Sequence, residues 1–189
     1  MSGLSLADRV KADLPSWPDD VIEQWIVPHA SREGFGWPPP EPLGRHPWYY
    51  VFSTRPLSWW REVQWVLERV RFSKSVLSHR DKLMTAKMLQ AAFEGVFNEY
   101  SELGGRPRIE SVLRHITQTG SFHQPPVAMR EGDGLVFMDG SHRVAAMIAY
   151  SAIRRRERQA AGHAKTGKLQ RIWVGRHQSG DALRPQPSP

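Results

Sequence analysis

The stretch from Gly134 to Tyr150, G-L-V-F-M-D-G-S-H-R-V-A-A-M-I-A-Y, constrains the fold of this chain more than any other. Its apolar first half predicts a short buried strand, and the pair Asp139 and Gly140 predicts a tight turn. Ser141 is a preferred N-cap residue, and the residues after Arg143 are good helix formers. The stretch therefore predicts a strand, a turn and a helix, which is the local pattern of an α/β or α+β domain.

The start of this helix is a candidate phosphate-binding site. The first amides of a helix have no partner within the helix, and they lie at the positive end of its dipole. His142 and Arg143 add positive charge where the dipole favours acidic residues, which is unfavourable unless an anion binds there. The alternative is purely structural, because a strand, an Asp-Gly turn and a Ser-capped helix occur in many α/β proteins.

Length and composition predict one domain rather than several. The chain has 189 residues, of which 40% are hydrophobic, enough for a proper core. We expect this domain to cover residues 1–177, followed by a disordered tail over the polar, proline-rich residues 178–189. Cysteine is absent, which excludes disulfides, thiol nucleophiles and thiolate metal sites. Without a long apolar run or a secretory leader, a cytoplasmic location is expected.

The positive charge of the chain is concentrated in its last quarter. The net charge is +7, and from Ser141 onward ten Lys or Arg residues accompany only two acidic residues. Such a regional excess is expected for a protein that binds a polyanion such as DNA. A solvated helix end is an equally good explanation, because cations suit the C-terminal end of a helix. The predicted DNA-binding residues are Arg154, Arg155, Arg156, Arg158, Lys165 and Lys168.

Hydrophobic periodicity and turn residues predict the remaining elements. A proline- and glycine-rich loop is expected over residues 34–47, and a hairpin turn over E-G-D-G at 131–134. The predicted helices cover residues 4–30, with breaks at prolines, and then 58–70, 79–103, 107–120 and 141–158. The predicted strands cover residues 48–52, 124–130, 134–138 and 169–176.

The order of these elements resembles that of the ParB/sulfiredoxin superfamily. Its members have a sheet of four to five strands packed with helices, and a nucleotide-binding G-x-H-R or D-G-H-H-R turn before a helix. The corresponding residues are D-G-S-H-R at 139–143, and more weakly R-P-L at 55–57. Over about residues 106–150 the resemblance implies an α/β (α+β) fold with a small mixed sheet and packed helices. The N-terminal helical region would be an addition to that core.

The resemblance also implies an activity. In length and content the chain is similar to plasmid-encoded fertility-inhibition proteins of this superfamily, which block transfer of a competing plasmid or T-DNA through a type IV secretion system. It implies ATPase and sequence-nonspecific DNase activity in the bacterial cytoplasm or at the cytoplasmic face of the inner membrane. Ser141 stands where sulfiredoxins place a cysteine, so we expect no sulfinic acid reductase activity. A ParB-type helix-turn-helix domain would not fit after residue 150.

The expected ligands are ATP, DNA and Mg²⁺. Phosphoryl transfer needs mainly positioning and charge neutralisation. We expect Asp139 to hold Mg²⁺ or to orient a water, and His142 to act as general acid or base. Each residue also has a purely structural explanation: Asp139 would stabilise the turn through its own hydrogen bonds, and His142 would pack against the edge of the sheet. The predicted catalytic residues are Asp139, His142 and Arg143. The predicted nucleotide-binding residues are Gly140, Ser141, His142, Arg143, Arg55 and Ser111, with Arg108 and His115 beside them.

Two alternative functions stay open. The chain contains eight tryptophans, and tryptophan is favoured at the centres of protein interfaces. A non-catalytic inhibitor that binds a component of the secretion channel is therefore the second hypothesis, although most of these side chains are expected to fill the core. A kinase acting on a free nucleotide or an amino acid is the third, because the same phosphate pocket would serve it.

Overall fold

The computed structural model describes residues 3–94, 105–132, 134–167, 169–180 and 183. Within these residues the fold is mixed α+β, as predicted. The strands are β1 (Val63–Arg71), β2 (Val127–Glu131), β3 (Gly134–Asp139) and β4 (Leu169–His177). The helices are α1 (Leu6–Asp13), α2 (Asp19–Val21), a π-helical segment (Ile22–Ile26), α3 (Val27–Ala30), α4 (Trp48–Val51), α5 (Leu57–Arg61), a 3₁₀ turn (Lys74–Val76), α6 (His79–Glu94), α7 (Gly105–Thr119), α8 (Ser141–Ala152) and α9 (Arg155–Ala160).

The four strands form one mixed sheet in the order β1-β4-β2-β3. β1 and β4 are antiparallel, β4 and β2 are parallel, and β2 and β3 form the predicted hairpin. Val127 of β2 lies beside both Asp139 of β3 and Trp173 of β4. His177, four residues further along β4, lies at the opposite end of the sheet, next to Val63 of β1. The register therefore separates the level of Asp139 from that of His177 by about 13 Å along β4.

One face of the sheet packs against the N-terminal region through a cluster of aromatic rings. Trp17 stacks on Trp25 with the ring centroids 5.6 Å apart, and the Trp17 Nε1 donates to the Trp60 carbonyl at 3.0 Å. Such ring pairs add about 0.5–1.5 kcal/mol to the stabilisation from burial. Seven of the eight tryptophans are at most 9% exposed, and Trp173 is half-buried. The tryptophans therefore give no support to the hypothesis that they form an interface with a component of the secretion channel.

The opposite face of the sheet is covered by helices. Sheet residues such as Ala128 and Phe137 pack against Val144 and Ile148 of α8, which share one side of that helix. A second layer of contacts joins α8 to α6 and α7. The sheet thus lies between two apolar layers, and the turn from β3 into α8 comes at its edge strand.

The strand predicted over residues 48–52 is wrong, because this segment is the helix α4. The Phe52 amide donates to the Trp48 carbonyl at 2.8 Å, and the two rings have centroids 4.9 Å apart. A four-residue helical spacing brings both side chains into the aromatic cluster, whereas successive positions of a strand alternate between faces. Aromatic content made the segment resemble a strand, and burial in the N-terminal layer favoured a helix.

The helix predicted over residues 58–70 is also wrong beyond Arg61. From Val63 the chain is strand β1, in which Val63 and Trp65 are buried and Gln64 and Val66 are exposed. The apolar positions fit a period of two as well as a period of 3.6, and pairing with β4 settles the choice. The helix predicted over 141–158 is interrupted, because Ile153 has an extended backbone between α8 and α9.

Helix α7 and strands β2, β3 and β4 confirm the predictions for those segments. The helix predicted over residues 79–103 is confirmed to Glu94, and residues 95–103 lie outside the described part of the chain. In the segment expected as a tail, Leu183 is instead 1% exposed and packs against the aromatic cluster. The tail prediction for residues 181–182 and 184–189 falls outside the described residues.

Candidate phosphate-binding site

The bend between β3 and α8 requires glycine. Gly140 has φ +89°, in the left-handed region that glycine favours, and it rather than Ser141 occupies the N-cap position. A Cβ at this position would lie 2.8 Å from the Arg143 Nε and 3.0 Å from the Pro126 Cβ. The predicted Ser141 cap is therefore wrong, and no side chain caps the helix. Ser141 is the first residue of α8 and is exposed.

The Arg143 side chain folds back under the bend. It is 7% exposed, and its guanidinium donates to the Asp139 Oδ2, to the Gln24 Oε1 at 2.9 Å and to the Gln124 carbonyl at 3.0 Å. These acceptors come from β3, the N-terminal layer and the loop before β2. The prediction that Arg143 contacts a phosphate does not agree with this arrangement, because the side chain is buried and both of its terminal nitrogens donate to groups inside the protein. Arg143 acts instead as a positioning residue for the bend.

Asp139 is the carboxylate beside the bend, and it is the partner of Arg143. Burial raises its pKa above the ordinary value, and the nearby Arg143 charge opposes part of that rise. A cation at Asp139 would have to compete with the guanidinium for the same oxygen. The described residues contain no group of three His, Asp or Glu placed to hold a metal. Asp139 in this arrangement does not fit the predicted role of Mg²⁺ ligand.

A surface of basic side chains lies beside the bend, on α7 and α8. His142 is half-buried, and its pKa is lowered by burial and by the charges of Arg108 and Arg143. Arg108, Ser111 and His115 of α7 are spaced by three and four residues, so they lie on one side of that helix. Helix α7 is a principal neighbour of α8. The structure therefore brings the predicted residues Arg108 and His142 together, with Ser111 exposed and His115 half-buried on the same side.

His123 joins this surface of basic side chains, although the sequence did not single it out. Its ring centroid lies 5.6 Å from that of His115, and its pKa is lowered by burial, by Arg143 and by His115. Gln24 and Gln124, which bind Arg143, were also missed. The only local signal was the H-Q-P-P stretch, because polar residues beside prolines tend to lie in a loop.

Arg55 does not belong to this site. Its Nε donates to the Leu183 carbonyl at 3.0 Å, and its guanidinium lies 5.1 Å from the Trp59 ring centroid. Trp59 in turn stacks on His177, with centroids 4.4 Å apart, at the end of the sheet opposite to Asp139. The structure therefore holds Arg55 against Leu183 and Trp59 and does not bring it to the bend.

The basic residues predicted to bind DNA differ in their environments. Arg154, Arg155 and Arg156 are exposed at the break between α8 and α9, and Lys165 is exposed further on. Arg158 is partly buried: it donates to the Thr166 Oγ1 at 2.8 Å and lies 5.2 Å from the Tyr150 ring centroid. Its side chain holds the C-terminal segment against α8. Lys168 lies outside the described residues.

In the described part of the chain, no helix is long and apolar enough to cross a membrane. No protein-family model matches the chain, and no curated protein or solved structure shows significant similarity to it.

Proposed function

We propose that this protein binds the phosphates of ATP at the start of α8, hydrolyses the nucleotide and cleaves DNA. The observation that carries the proposal is the packing of α7 on α8, which brings the Arg108 charge close enough to act on His142 in the first turn of α8. Gly140 gives the first turn no side-chain cap, and burial together with the charges of Arg108 and Arg143 lowers the pKa of His142. A bound phosphate would satisfy the amides and neutralise that charge.

In the proposed complex, the amides of the first turn and Arg108 hold the phosphate oxygens. The Ser141 hydroxyl is exposed and adds a further donor. Arg143 stays beneath, where its bonds to Asp139 and Gln24 fix the shape of the turn. ATP brings the phosphoryl group, and the protein supplies donors that are already oriented, which is the main requirement of phosphoryl transfer.

His142 is the proposed proton acceptor. Its lowered pKa keeps the imidazole neutral near pH 7, so it can accept a proton from the attacking water. The water oxygen bonds to the γ-phosphorus as the bond to the β,γ-bridging oxygen breaks, leaving ADP and phosphate. A DNA phosphodiester is also an anionic phosphate ester, and attack of water on its phosphorus would break a P–O bond of the backbone, leaving a phosphate on one end and a hydroxyl on the other. In a cell, DNA cleavage would account for a block of plasmid or T-DNA transfer through a type IV secretion system.

The test measures ATP turnover and release of acid-soluble DNA by the whole protein. We expect His142→Ala and Arg108→Gln each to lower ATP turnover at least tenfold. The first variant removes the proton acceptor, and the second removes a side chain that donates hydrogen bonds to the phosphate oxygens. His79→Ala removes an exposed histidine on α6, and Arg114→Gln removes an exposed arginine elsewhere around α7. These two controls should keep wild-type turnover.

The results separate the two activities. Loss of both ATP turnover and DNA cleavage in the His142 and Arg108 variants would support a single phosphate site. Wild-type rates in both variants, with near-ultraviolet circular dichroism unchanged, would remove the bend as the site of hydrolysis. Absence of any nucleotide binding by the wild-type protein would overturn the proposal as a whole.

A further inference from the structure

A cleft of about 620 Å³ lies at the uncovered end of the sheet, on the same face as the aromatic cluster. One side of the cleft is charged, with Arg69 of β1 and Arg171 of β4. Beside them lie apolar residues: Leu169 on the same face of β4, and Phe122 from the loop before β2, whose ring packs edge-on against Phe72. Its volume is in the range of clefts that bind ligands. None of these residues belongs to the bend.

Without a bound anion, the arginines of the cleft repel each other. Arg69 and Arg171 are direct cross-strand partners, and like charges in that position repel each other. Arg71 extends the row on the same face of β1. Within the described residues, none of the three forms an ion pair with a carboxylate. The neighbouring Glu68 points to the opposite face, where it pairs with other arginines.

The wall of the cleft is fixed by hydrogen bonds. Gln170 is 3% exposed, and its Nε2 donates to the Gly120 carbonyl at 3.1 Å. Its Oε1 accepts from the Phe122 amide at 3.3 Å. The next residues of this loop reach the bend, since the Gln124 carbonyl accepts from Arg143 at 3.0 Å. The cleft is therefore preformed, and a short loop connects it to the candidate phosphate site.

We propose that this cleft binds a segment of single-stranded DNA, with its phosphates on Arg69 and Arg171 of the lining and on Arg71 beside it, and its bases against Phe122 and Leu169. Positive grooves with apolar or aromatic floors are suited to single strands, whose bases are free to stack. Arg69 and Arg71 are two positions apart, about 7 Å, so they can contact different phosphates. A duplex would present phosphates to the arginines but would leave the apolar side uncovered.

This inference extends the proposed function, because it gives the DNA a binding site separate from the ATP site. It also differs from the assignment of DNA contacts to the exposed arginines around α9. Direct binding to DNA without nucleotide tests it independently of any hydrolysis. The measurement is the fluorescence anisotropy of a labelled 12-mer of thymidine nucleotides, titrated with the full-length protein at several salt concentrations.

For the double variant Arg69→Gln/Arg171→Gln we expect at least tenfold weaker binding than wild type. The slope of log affinity against log salt should become shallower by about 1.4, since each phosphate contact on a single strand contributes about 0.7. The matched control Arg9→Gln/Arg32→Gln removes the same charge from exposed positions of the N-terminal region and should bind within twofold of wild type. Neither variant should unfold at a lower temperature than the wild-type protein.

A second comparison decides whether single-stranded DNA binds in the cleft or on the exposed arginines around α9. If Arg154→Gln/Arg155→Gln causes the whole loss and the cleft variant binds like wild type, the inference is overturned. Tighter binding of a 12-base-pair duplex than of the single strand would overturn it too. If the cleft variant alone loses binding while wild-type protein shows no ATP turnover, the cleft assignment stands and the proposed hydrolysis fails.

Discussion

The guanidinium of Arg143 binds the carboxylate of Asp139 across the bend, from the first turn of α8 to the last residue of β3. The two residues are four positions apart, and Gly140 lies between them with a left-handed backbone. Because Arg143 also binds Gln24 and Gln124, this one side chain ties together the edge strand, the N-terminal layer and the loop beside the cleft. The bend is thus built from groups that are distant in sequence.

The first prediction concerns this ion pair. Arg143→Ala should lower the free energy of unfolding by about 3 kcal/mol, because it leaves a largely buried carboxylate and two glutamine oxygens without their donor. Arg143→Lys keeps the positive charge but not the planar guanidinium, so it should lower the free energy of unfolding less than Arg143→Ala does. Urea denaturation measures both values. A free energy for the alanine variant within 0.5 kcal/mol of wild type would show that the pair does not hold the bend.

The second prediction concerns the glycine of the bend. Gly140→Ala should destabilise the protein by about 1–3 kcal/mol, since the left-handed backbone is unfavourable for alanine and the added Cβ would contact the Arg143 Nε at 2.8 Å. Gly34→Ala is the matched control: its φ is also positive, but a Cβ there meets nothing within 4 Å. The difference between the two variants, measured by thermal unfolding, isolates the contact with Arg143. An equal loss of stability in the two variants would show that a Cβ at residue 140 does not clash with Arg143.

The third prediction is the pH profile of ATP turnover. Burial and two arginine charges lower the pKa of His142, so its neutral form is present near pH 7 and is lost as the pH falls through that pKa. Measured as kcat/KM for ATP, which reports the free protein, the rate should decline on the acid side with a midpoint below 6.5. His142→Gln should remove this limb, whereas His79→Gln should keep it. A midpoint above 6.5 in the wild-type protein would contradict the assigned electrostatics.

The fourth prediction concerns stability in acid. Burial and the Arg32 charge lower the pKa of His29 to about 4, and its Nδ1 is buried without a hydrogen-bond partner. The unfolded chain binds a proton near pH 6.5, so the folded state loses stability as the pH falls from about 6.5 to 4. The contribution is roughly 1–2 kcal/mol after allowance for solvent screening. His29→Phe, compared with His46→Phe, should flatten this part of the urea denaturation profile. An unchanged profile would exclude His29 as the cause.

Local sequence signals were sufficient for the segment that contains the bend. The β2–β3 hairpin, strand β3, the glycine turn and the start of α8 all follow from turn residues and short-range periodicity. The same signals failed at residues 48–52 and 63–71, where aromatic and β-branched residues fit both helix and strand. There the outcome depends on partners far along the chain: the aromatic cluster in one case, and β4 in the other.

At the candidate site too, some features follow from the local sequence and others from contacts between distant segments. The residues of α8 and the neighbouring Arg108 were identified from the sequence, because their types and spacing are visible there. The sequence also determined the helix start, the absence of thiol chemistry and the excess of positive charge. Only the tertiary structure decided that Arg143 turns inward to Gln24, 119 residues away, that Arg55 lies at the far end of the sheet, and that two arginines face each other beside an open cleft. Backbone conformation is set largely by neighbours within a few residues, whereas the partner of a charged side chain is set by strand register and packing between distant segments.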